Sequence, residues 1–182
     1  GQTKRMHSLV KDLLLLSRLE SAEPDIAKHQ PINVAGMIRS IASDAQRLSG
    51  AKNHKITIEL DESLEMLGQA EELYSAFSNV VFNAIRYTPA GGHIELHWYL
   101  DGEYSVLMVK DDGVGIAEHD IPKLTQRFYR TDKARAREQD NEGTGLGLAI
   151  VKHVLLRHEG ELLIESILGE GSRFYCRFQK PL

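Results

Sequence analysis

Three short segments of this chain constrain its fold more than any other part of it. Residues 79–87 (NVVFNAIRY) lie in a helical pattern, residues 111–116 (DDGVGI) follow an apolar strand pattern, and residues 143–151 (GTGLGLAIV) open another helix. Glycines in the last two segments remove side chains that would keep a flat ligand away from the backbone. The free N–H groups at the start of a helix form a site for anions. The three segments together therefore predict a cradle for a ligand that is flat at one end and anionic at the other.

The spacing of apolar residues predicts a two-layer α/β sandwich, with strands on one side and three helices packed over them. Residues 1–23 form a separate N-terminal helix that Pro24 ends, and residues 24–182 form the sandwich domain. The predicted helices of that domain cover residues 37–48, 70–87 and 145–158. The predicted strands lie near residues 32–34, 56–60, 94–100, 106–109, 162–166 and 173–178.

The N-terminal helix carries more leucine than a lone helix can bury. Met6, Leu9, Leu13 and Leu16 follow one another at steps of three, four and three, and further apolar residues widen the stripe. A stripe of this width suits one helix of a bundle. We therefore expect this helix to need a partner, and its start in mid-pattern suggests that the chain is part of a longer protein.

Composition excludes several classes of function. The 182 residues are 42% hydrophobic and 26% charged with a net charge of −4, which argues against a nucleic-acid surface. The longest apolar run, residues 13–16, is too short to span a bilayer, and we expect no membrane contact by this chain. The single cysteine, Cys176, alternates with Phe174 and Phe178 and is interpreted as an inert core thiol, consistent with a reducing compartment.

Asp111 is the first candidate binding residue. An ionised carboxylate only accepts hydrogen bonds, so it suits the exocyclic amino group of adenine and not the carbonyl that guanine carries there. Gly113 and Gly115 would let the backbone approach the base. The alternative is an ordinary Asp-Gly turn without a ligand.

Asn79 and Asn83 are four residues apart on a predicted helix and project from one face. An amide oxygen is a hard ligand that suits Mg²⁺, which also takes water and phosphate oxygens. A solvated polar helix face is the alternative. The glycines at 143, 145 and 147 would receive phosphate, although no Walker lysine follows them and residue 148 breaks the dinucleotide fingerprint.

Residues 112–142 have little periodicity, and a loop of this length is usually functional or mobile. We expect it to be a lid that is poorly ordered until nucleotide binds. Arg130, with Arg127 near it, would clamp a terminal phosphate. A solvated loop arginine is the competing interpretation. Phe128 and Tyr129 would anchor the lid to the domain.

Ordered in this way, the segments resemble the catalytic domain of sensor histidine kinases. The resemblance implies ATP and Mg²⁺ as ligands, with Asn83 holding the metal, Asn79 assisting, and Arg130 acting on the γ-phosphate. It implies a nucleotide site made of Asn79, Asn83, Arg86, Tyr87, Asp111, Gly113, Gly115, Ile116, Phe128, Arg130, Thr144, Gly145, Leu146, Gly147 and Leu148. Residues 128–135 and 145–153 are most similar to the phosphate-regulon branch of that family. Residues 1–23 resemble the second helix of its dimerisation and phosphoacceptor hairpin.

The resemblance also exposes an absence, because none of the eight histidines has the His-Glu/Asp-x-x-x-Pro context of a phosphoacceptor. The implied partners are therefore a phosphoacceptor hairpin of the same or a partner subunit and a response-regulator receiver domain. The implied setting is the cytoplasmic part of a homodimeric bacterial protein anchored in the inner membrane. Two alternatives remain, namely an ATPase or serine kinase of the same fold and a non-catalytic nucleotide-binding module. In the former, glutamate stands where Asn79 stands here.

Overall fold

The structure, a computed structural model, describes residues 2–131 and 144–180. These residues form eleven helices and strands, with short 3₁₀ turns at Ile26–Lys28, Gly50–Lys52 and Ile121–Lys123. In chain order they are α1 (Gln2–Ser21), β1 (Gln30–Ile32), α2 (Val34–Ser49), β2 (Lys55–Leu60), β3 (Met66–Gly68), α3 (Ala70–Tyr87), β4 (His93–Asp101), β5 (Tyr104–Asp111), α4 (Gly147–Arg157), β6 (Gly160–Ile167) and β7 (Gly171–Gln179).

Five strands form one sheet in the order β2-β4-β5-β7-β6, and β1 pairs with β3 in a small antiparallel ribbon. Strand β2 runs parallel to β4, and the other neighbours are antiparallel. The register aligns Ile94, Asp111 and Ser172 across the three central strands. The end of β5 therefore lies between the start of β4 and the start of β7.

The core lies between one face of the sheet and helices α2, α3 and α4. Its large side chains are fully buried and include Trp98 on β4, Phe77 on α3 and Phe178 on β7. The rings of Phe77 and Phe178 meet edge to face with centroids 6.0 Å apart, a favourable geometry for aromatic pairs. The indole N–H of Trp98 donates to the carbonyl of Leu64 at 2.9 Å, so its burial leaves no donor unpaired.

The predicted two-layer sandwich is confirmed, and the differences lie at element ends and in one short strand. Helix α2 begins at Val34 and not at residue 37, because the Asn33 side chain accepts a hydrogen bond from Gly36 N at 3.1 Å and so caps the helix there. The strand expected near 32–34 consequently stops at Ile32. Strand β3 was missed, since three residues are too short to show a period. Cys176 is buried as expected, and burial raises the pKa of its thiol to about 12.

The predicted lid falls only partly within the described residues. Residues 112–131 form hydrogen-bonded turns and the 3₁₀ turn at Ile121–Lys123, and ordering of this lid by nucleotide stays a prediction. Residues 132–142 of the predicted lid lie outside the described part of the chain, as does Gly143 of the glycine segment. No helix among the described residues has the length and apolarity needed to cross a membrane.

Helix α1 packs on the domain through the end of its leucine stripe. Leu16 is fully buried and Leu19 is 4% exposed, and both belong to the same core cluster as α3 and α4. Met6, Val10 and Leu14, each more than half exposed, form a second apolar row on the same helix. Leu16, which the sequence assigned to the bundle face together with Leu9 and Leu13, thus contributes to the core of the domain.

A pair of leucine substitutions two residues apart tests this packing. Leu16→Ala should lower the free energy of unfolding by about 2–5 kcal/mol, because it removes a fully buried side chain and leaves a cavity. Leu14→Ala, at a position 67% exposed on the same helix, should change it by less than about 0.5 kcal/mol. Urea denaturation of the 182-residue chain measures both, and a larger loss for Leu14→Ala would contradict the packing of α1.

Candidate functional site

A cavity of about 1040 Å³ opens between α3, the end of β5, the start of α4 and one side of α1. It brings together residues from all three segments that the sequence singled out. Twelve of the predicted site residues line it, namely Asn79, Asn83, Arg86, Tyr87, Asp111, Gly115, Ile116, Arg130, Thr144, Gly145, Gly147 and Leu148. Predicted site residues up to 69 positions apart in sequence, Asn79 and Leu148, are thus brought into one lining only by the fold.

Asp111 lies at the inner end of the cavity as the last residue of β5. It shares a sheet face with Leu107 and Val109, so the two-residue period of the strand directs its carboxylate toward the helix layer. The residue is 6% exposed, and one carboxylate oxygen accepts from Gly113 N at 2.9 Å. Burial raises the pKa of this carboxyl to about 6, against the opposing effect of the Gly113 and Ser172 amides. At neutral pH the group is therefore an ionised acceptor in a largely apolar setting.

The segment after Asp111 is held by the turn between β6 and β7. The hydroxyl of Ser166 accepts from Ile116 N at 2.7 Å, and Val114 O accepts from Gly169 N at 2.7 Å. Gly115 has φ +71°, and a Cβ at this position would lie 2.2 Å from Ile167 O. This glycine is therefore required by the packing of backbone on backbone, in addition to any approach of a ligand.

The polar stripe of α3 forms one wall of the cavity. The side-chain amide of Asn79 donates to Ser75 O at 2.8 Å, which turns its oxygen toward the start of α4. A Cβ at Gly147 would lie 2.7 Å from that oxygen. Gly147 therefore allows the first turn of α4 to come close to α3, and no larger residue fits without moving Asn79.

The start of α4 forms the opposite wall. The Thr144 hydroxyl accepts from Leu146 N at 3.2 Å, and Gly145 has φ +78°. Gly145 O accepts from Phe128 N at 2.8 Å, which ties the segment before Arg130 to the loop before α4. Gly147 and Leu148, the first residues of the helix, face the cavity, so the positive end of the helix dipole is directed at it.

Three predicted site residues do not line the cavity. Leu146 is fully buried in the core, and Phe128 is 52% exposed with a positive φ of 62°. Gly113 lies behind the cavity, where a Cβ would come within 2.4 Å of Tyr87 O. All three are chain neighbours of lining residues and support the loops that carry those residues, but they do not line the cavity themselves.

The cavity also contains residues that sequence reasoning missed. Ser172 and Phe174 on β7 line it beside Asp111, and their spacing of two on a strand was the available signal. Helix α1 contributes six further lining residues that no local sequence pattern predicted. They are Ser8, Lys11, Asp12, Leu14, Leu15 and Arg18. The position of α1 is stabilised by a hydrogen bond from the Thr144 hydroxyl to the Asp12 carboxylate at 2.7 Å and by an ion pair between Glu20 and Arg127. His153 Nε2 lies 3.4 Å from the same Glu20 carboxylate.

Comparison with known proteins identifies the family of this chain. Residues 68–182 match the family described as histidine kinase-, DNA gyrase B- and HSP90-like ATPases. The chain belongs to this family. It is 46% identical over 177 residues to the phosphate regulon sensor protein PhoR of Pseudomonas aeruginosa, covering 97% of this chain and 39% of that protein. It is 36% identical over 174 residues to PhoR of Haemophilus influenzae, covering 95% and 40%.

Solved structures of this family have the same fold. Full-length ShkA in complex with AMPPNP aligns with a TM-score of 0.82 at 26% identity, over 98% of this chain and 37% of that one. The mycobacterial sensor histidine kinase MprB aligns with a TM-score of 0.73 at 26% identity, over 84% of this chain and all of that one. The chain spans about two fifths of the length of the curated PhoR relatives, and it matches the ATP-binding catalytic part of histidine kinases.

Two glycines of positive φ test the backbone packing beside Asp111. Gly169→Ala, with φ +86° and nothing within 4 Å of the added Cβ, should cost about 1–2 kcal/mol of unfolding free energy from left-handed strain alone. Gly115→Ala has a similar φ and should cost clearly more, because its Cβ would meet Ile167 O. Urea denaturation of the two variants measures the difference, and equal losses would contradict the contact.

Proposed function

We propose that this chain is the catalytic domain of a sensor histidine kinase that transfers the γ-phosphoryl group of ATP to a histidine on another helix. The observation that carries the proposal is that Asp111, Asn83 and the glycines at 145 and 147 line one cavity. A hydrogen-bond acceptor at the buried end and a helix N-terminus at the other match the two ends of a nucleotide.

Base recognition is assigned to Asp111. Its carboxylate is buried and ionised at neutral pH, so it would accept from the exocyclic amino group of adenine and repel the carbonyl of guanine. Ile116 and Phe174 line the cavity near it and offer apolar surface to the faces of the base. Gly115 and Gly113 support the turn that would lie along its edge.

Phosphate binding is assigned to the start of α4 and to two arginines. Thr144, Gly145 and Gly147 line the cavity at the positive end of the helix, where backbone N–H groups can bind an anion. Arg86 on α3 and Arg130 in the preceding loop line the same cavity. We assign Arg130 to the γ-phosphate, where a guanidinium would stabilise charge as the phosphoryl group leaves.

The side chains fit Mg²⁺ as a partner of bound phosphates. Among residues 2–131 and 144–180, no three acidic, histidine or cysteine side chains group as metal ligands. Asn83 lines the cavity one helical turn from Asn79 and opposite the glycine loop, and its amide oxygen is a hard ligand. Mg²⁺, when bound, would neutralise phosphate charge, and Asn83 would hold it together with phosphate oxygens and water.

Asn79 favours transfer to a histidine over hydrolysis. A base near the γ-phosphate would activate water, and an amide cannot take up a proton. A neutral imidazole is already nucleophilic and needs less activation. We propose that the acceptor is a histidine on a first hairpin helix, in the same or a partner subunit, and that a receiver-domain aspartate then takes the phosphoryl group. We further propose that the whole protein is a homodimer anchored in the inner membrane, with this chain on the cytoplasmic side. The relatives named phosphate regulon sensor proteins support a response to phosphate limitation.

The role of Asp111 predicts a pH-dependent choice of nucleotide. The ratio of ATP to GTP affinity should be large at pH 8 and should fall as the pH drops through about 6, since protonation of Asp111 lets it donate to guanine. Calorimetry with both nucleotides measures this affinity ratio. Protonation of the triphosphate affects ATP and GTP equally, so it does not change the ratio. Asp111→Asn should give a small ratio at every pH. A wild-type ratio that stays constant from pH 5 to 8 would argue against base recognition by this carboxylate.

The same carboxylate contributes to the pH dependence of stability. Its folded pKa of about 6 lies above the ordinary value of 3.8, so the folded state binds more protons between those pH values. Asp111 therefore destabilises the fold above pH 6, and this cost is relieved as the pH falls toward 4.

The proposed role of Asn83 is tested by phosphoryl transfer. Wild-type chain, γ-labelled ATP and a hairpin fragment with a His-Glu/Asp-x-x-x-Pro sequence should yield acid-labile label on the fragment and none on the chain. Asn83→Ala should reduce transfer at least about 100-fold by removing the metal ligand that positions the phosphates. Lys152→Ala, on the exposed side of α4, is the matched control and should retain activity. Acid-stable label on serine or threonine would contradict the assignment.

A further inference from the structure

His54 is a buried residue that lies outside the cavity and has no part in the site described above. It is 2% exposed and lies between α2 and β2, directly before the first residue of β2. Its ring Nε2 lies 2.6 Å from Thr88 O, and its ring Nδ1 lies 2.7 Å from the hydroxyl of Ser49. Ser49 also accepts from His54 N at 2.8 Å. A carbonyl only accepts, so Nε2 carries the proton and Nδ1 accepts from the Ser49 hydroxyl.

Thr88 is the residue at which α3 ends. Pro89 follows it, which forces Thr88 into the extended conformation seen at φ −106° and ψ 123° and removes the next amide as a donor. The carbonyls at the end of a helix need partners from outside the helix. Two are supplied here, since Tyr87 O accepts from Val114 N at 3.2 Å and Thr88 O accepts from His54.

These two bonds connect the end of α3 to the nucleotide segment on one side and to His54 on the other. The last turn of α3 carries Arg86 and Tyr87, which line the cavity, and Asn83 lies one turn earlier. Gly113 packs directly against this helix end, with its Cβ position 2.4 Å from Tyr87 O. The distance between the phosphate side and the base side of the cavity therefore depends on the position of the C-terminal end of α3.

We propose that His54 is a positioning residue for the nucleotide site: it holds the end of α3 against residues 111–115 and so sets ATP affinity and base selectivity. The inference rests on the proposed function. Without the bond to Thr88, the end of α3 is held to the domain at this point by the Val114 amide, which is itself part of the segment to be positioned.

His158 provides a matched control at the opposite end of the same helix. It is 8% exposed, its Nε2 accepts from Gln69 N at 3.1 Å, and its Nδ1 donates to Val154 O at 2.8 Å. Gln69 is the N-cap of α3, about 27 Å from Thr88 along an 18-residue helix. A substitution of either histidine removes a buried ring and two hydrogen bonds, and only His54 adjoins the nucleotide segment.

The experiment compares His54→Leu, His54→Gln and His158→Leu in the 182-residue chain. Both leucine variants should be less stable to urea, and only His54→Leu should bind Mg·ATP about tenfold more weakly, the effect of about one lost hydrogen bond. Its ratio of ATP to GTP affinity should fall as well, and exchange of the Val114 amide should accelerate. His54→Gln, whose side-chain amide can donate to Thr88 O, should restore affinity to within about threefold of wild type.

Wild-type affinity in His54→Leu, or an equal loss in His158→Leu, would overturn the positioning role. If His54→Leu does not fold, Ser49→Ala replaces it, because it removes the hydroxyl that orients the ring and should weaken ATP binding by about threefold. Wild-type ATP affinity in Ser49→Ala would then overturn the role. Failure of the wild-type chain to bind ATP is a separate outcome that would overturn the proposed function itself.

Discussion

The two faces of α3 are the constraint on which the rest of this structure depends. One face buries Leu73, Phe77 and Val81 against the sheet, and this burial decides the rotation of the helix about its axis. This rotation also places the polar stripe of the helix, which lies on a different face and is directed toward α4 and the end of β5. The stripe consists of Asn79, Asn83 and Arg86. The polar wall of the cavity is thus a consequence of how the apolar face packs.

The base side of the cavity depends on close backbone contacts. The segment after Asp111 lies between the end of α3 and the β6–β7 turn, and it contacts each through carbonyl and amide groups. Gly113 and Gly115 are the positions where a Cβ would meet those carbonyls. Their role in this structure is therefore architectural, and the open face that they present to the cavity follows from the same small size.

Helix α1 relates the domain to the longer proteins of its family. Its Leu16 and Leu19 are buried with α4, and its Asp12 accepts from Thr144 in the loop that opens α4. Its remaining apolar row, Met6, Val10 and Leu14, is exposed and is the part of the leucine stripe that fits the expected bundle partner. The helix therefore combines a face that packs on the catalytic domain with an exposed apolar face, and its membership of a helical hairpin stays a prediction.

The sequence by itself determined the fold class, the order of the helices and of all strands but the short β3, and most of the predicted residues that line the cavity. Asp111, Asn83 and the glycines at 115, 145 and 147 were identified because each changes a local pattern, such as a strand that ends in a carboxylate or a helix that opens with glycine. Only the tertiary structure decided the raised pKa of Asp111, the contribution of α1 and Ser172 to the cavity, and the bond between His54 and Thr88. These features depend on contacts between residues that are 34 or more positions apart in the chain, or on burial by the whole fold. A local sequence pattern predicts neither the distant contacts nor the burial.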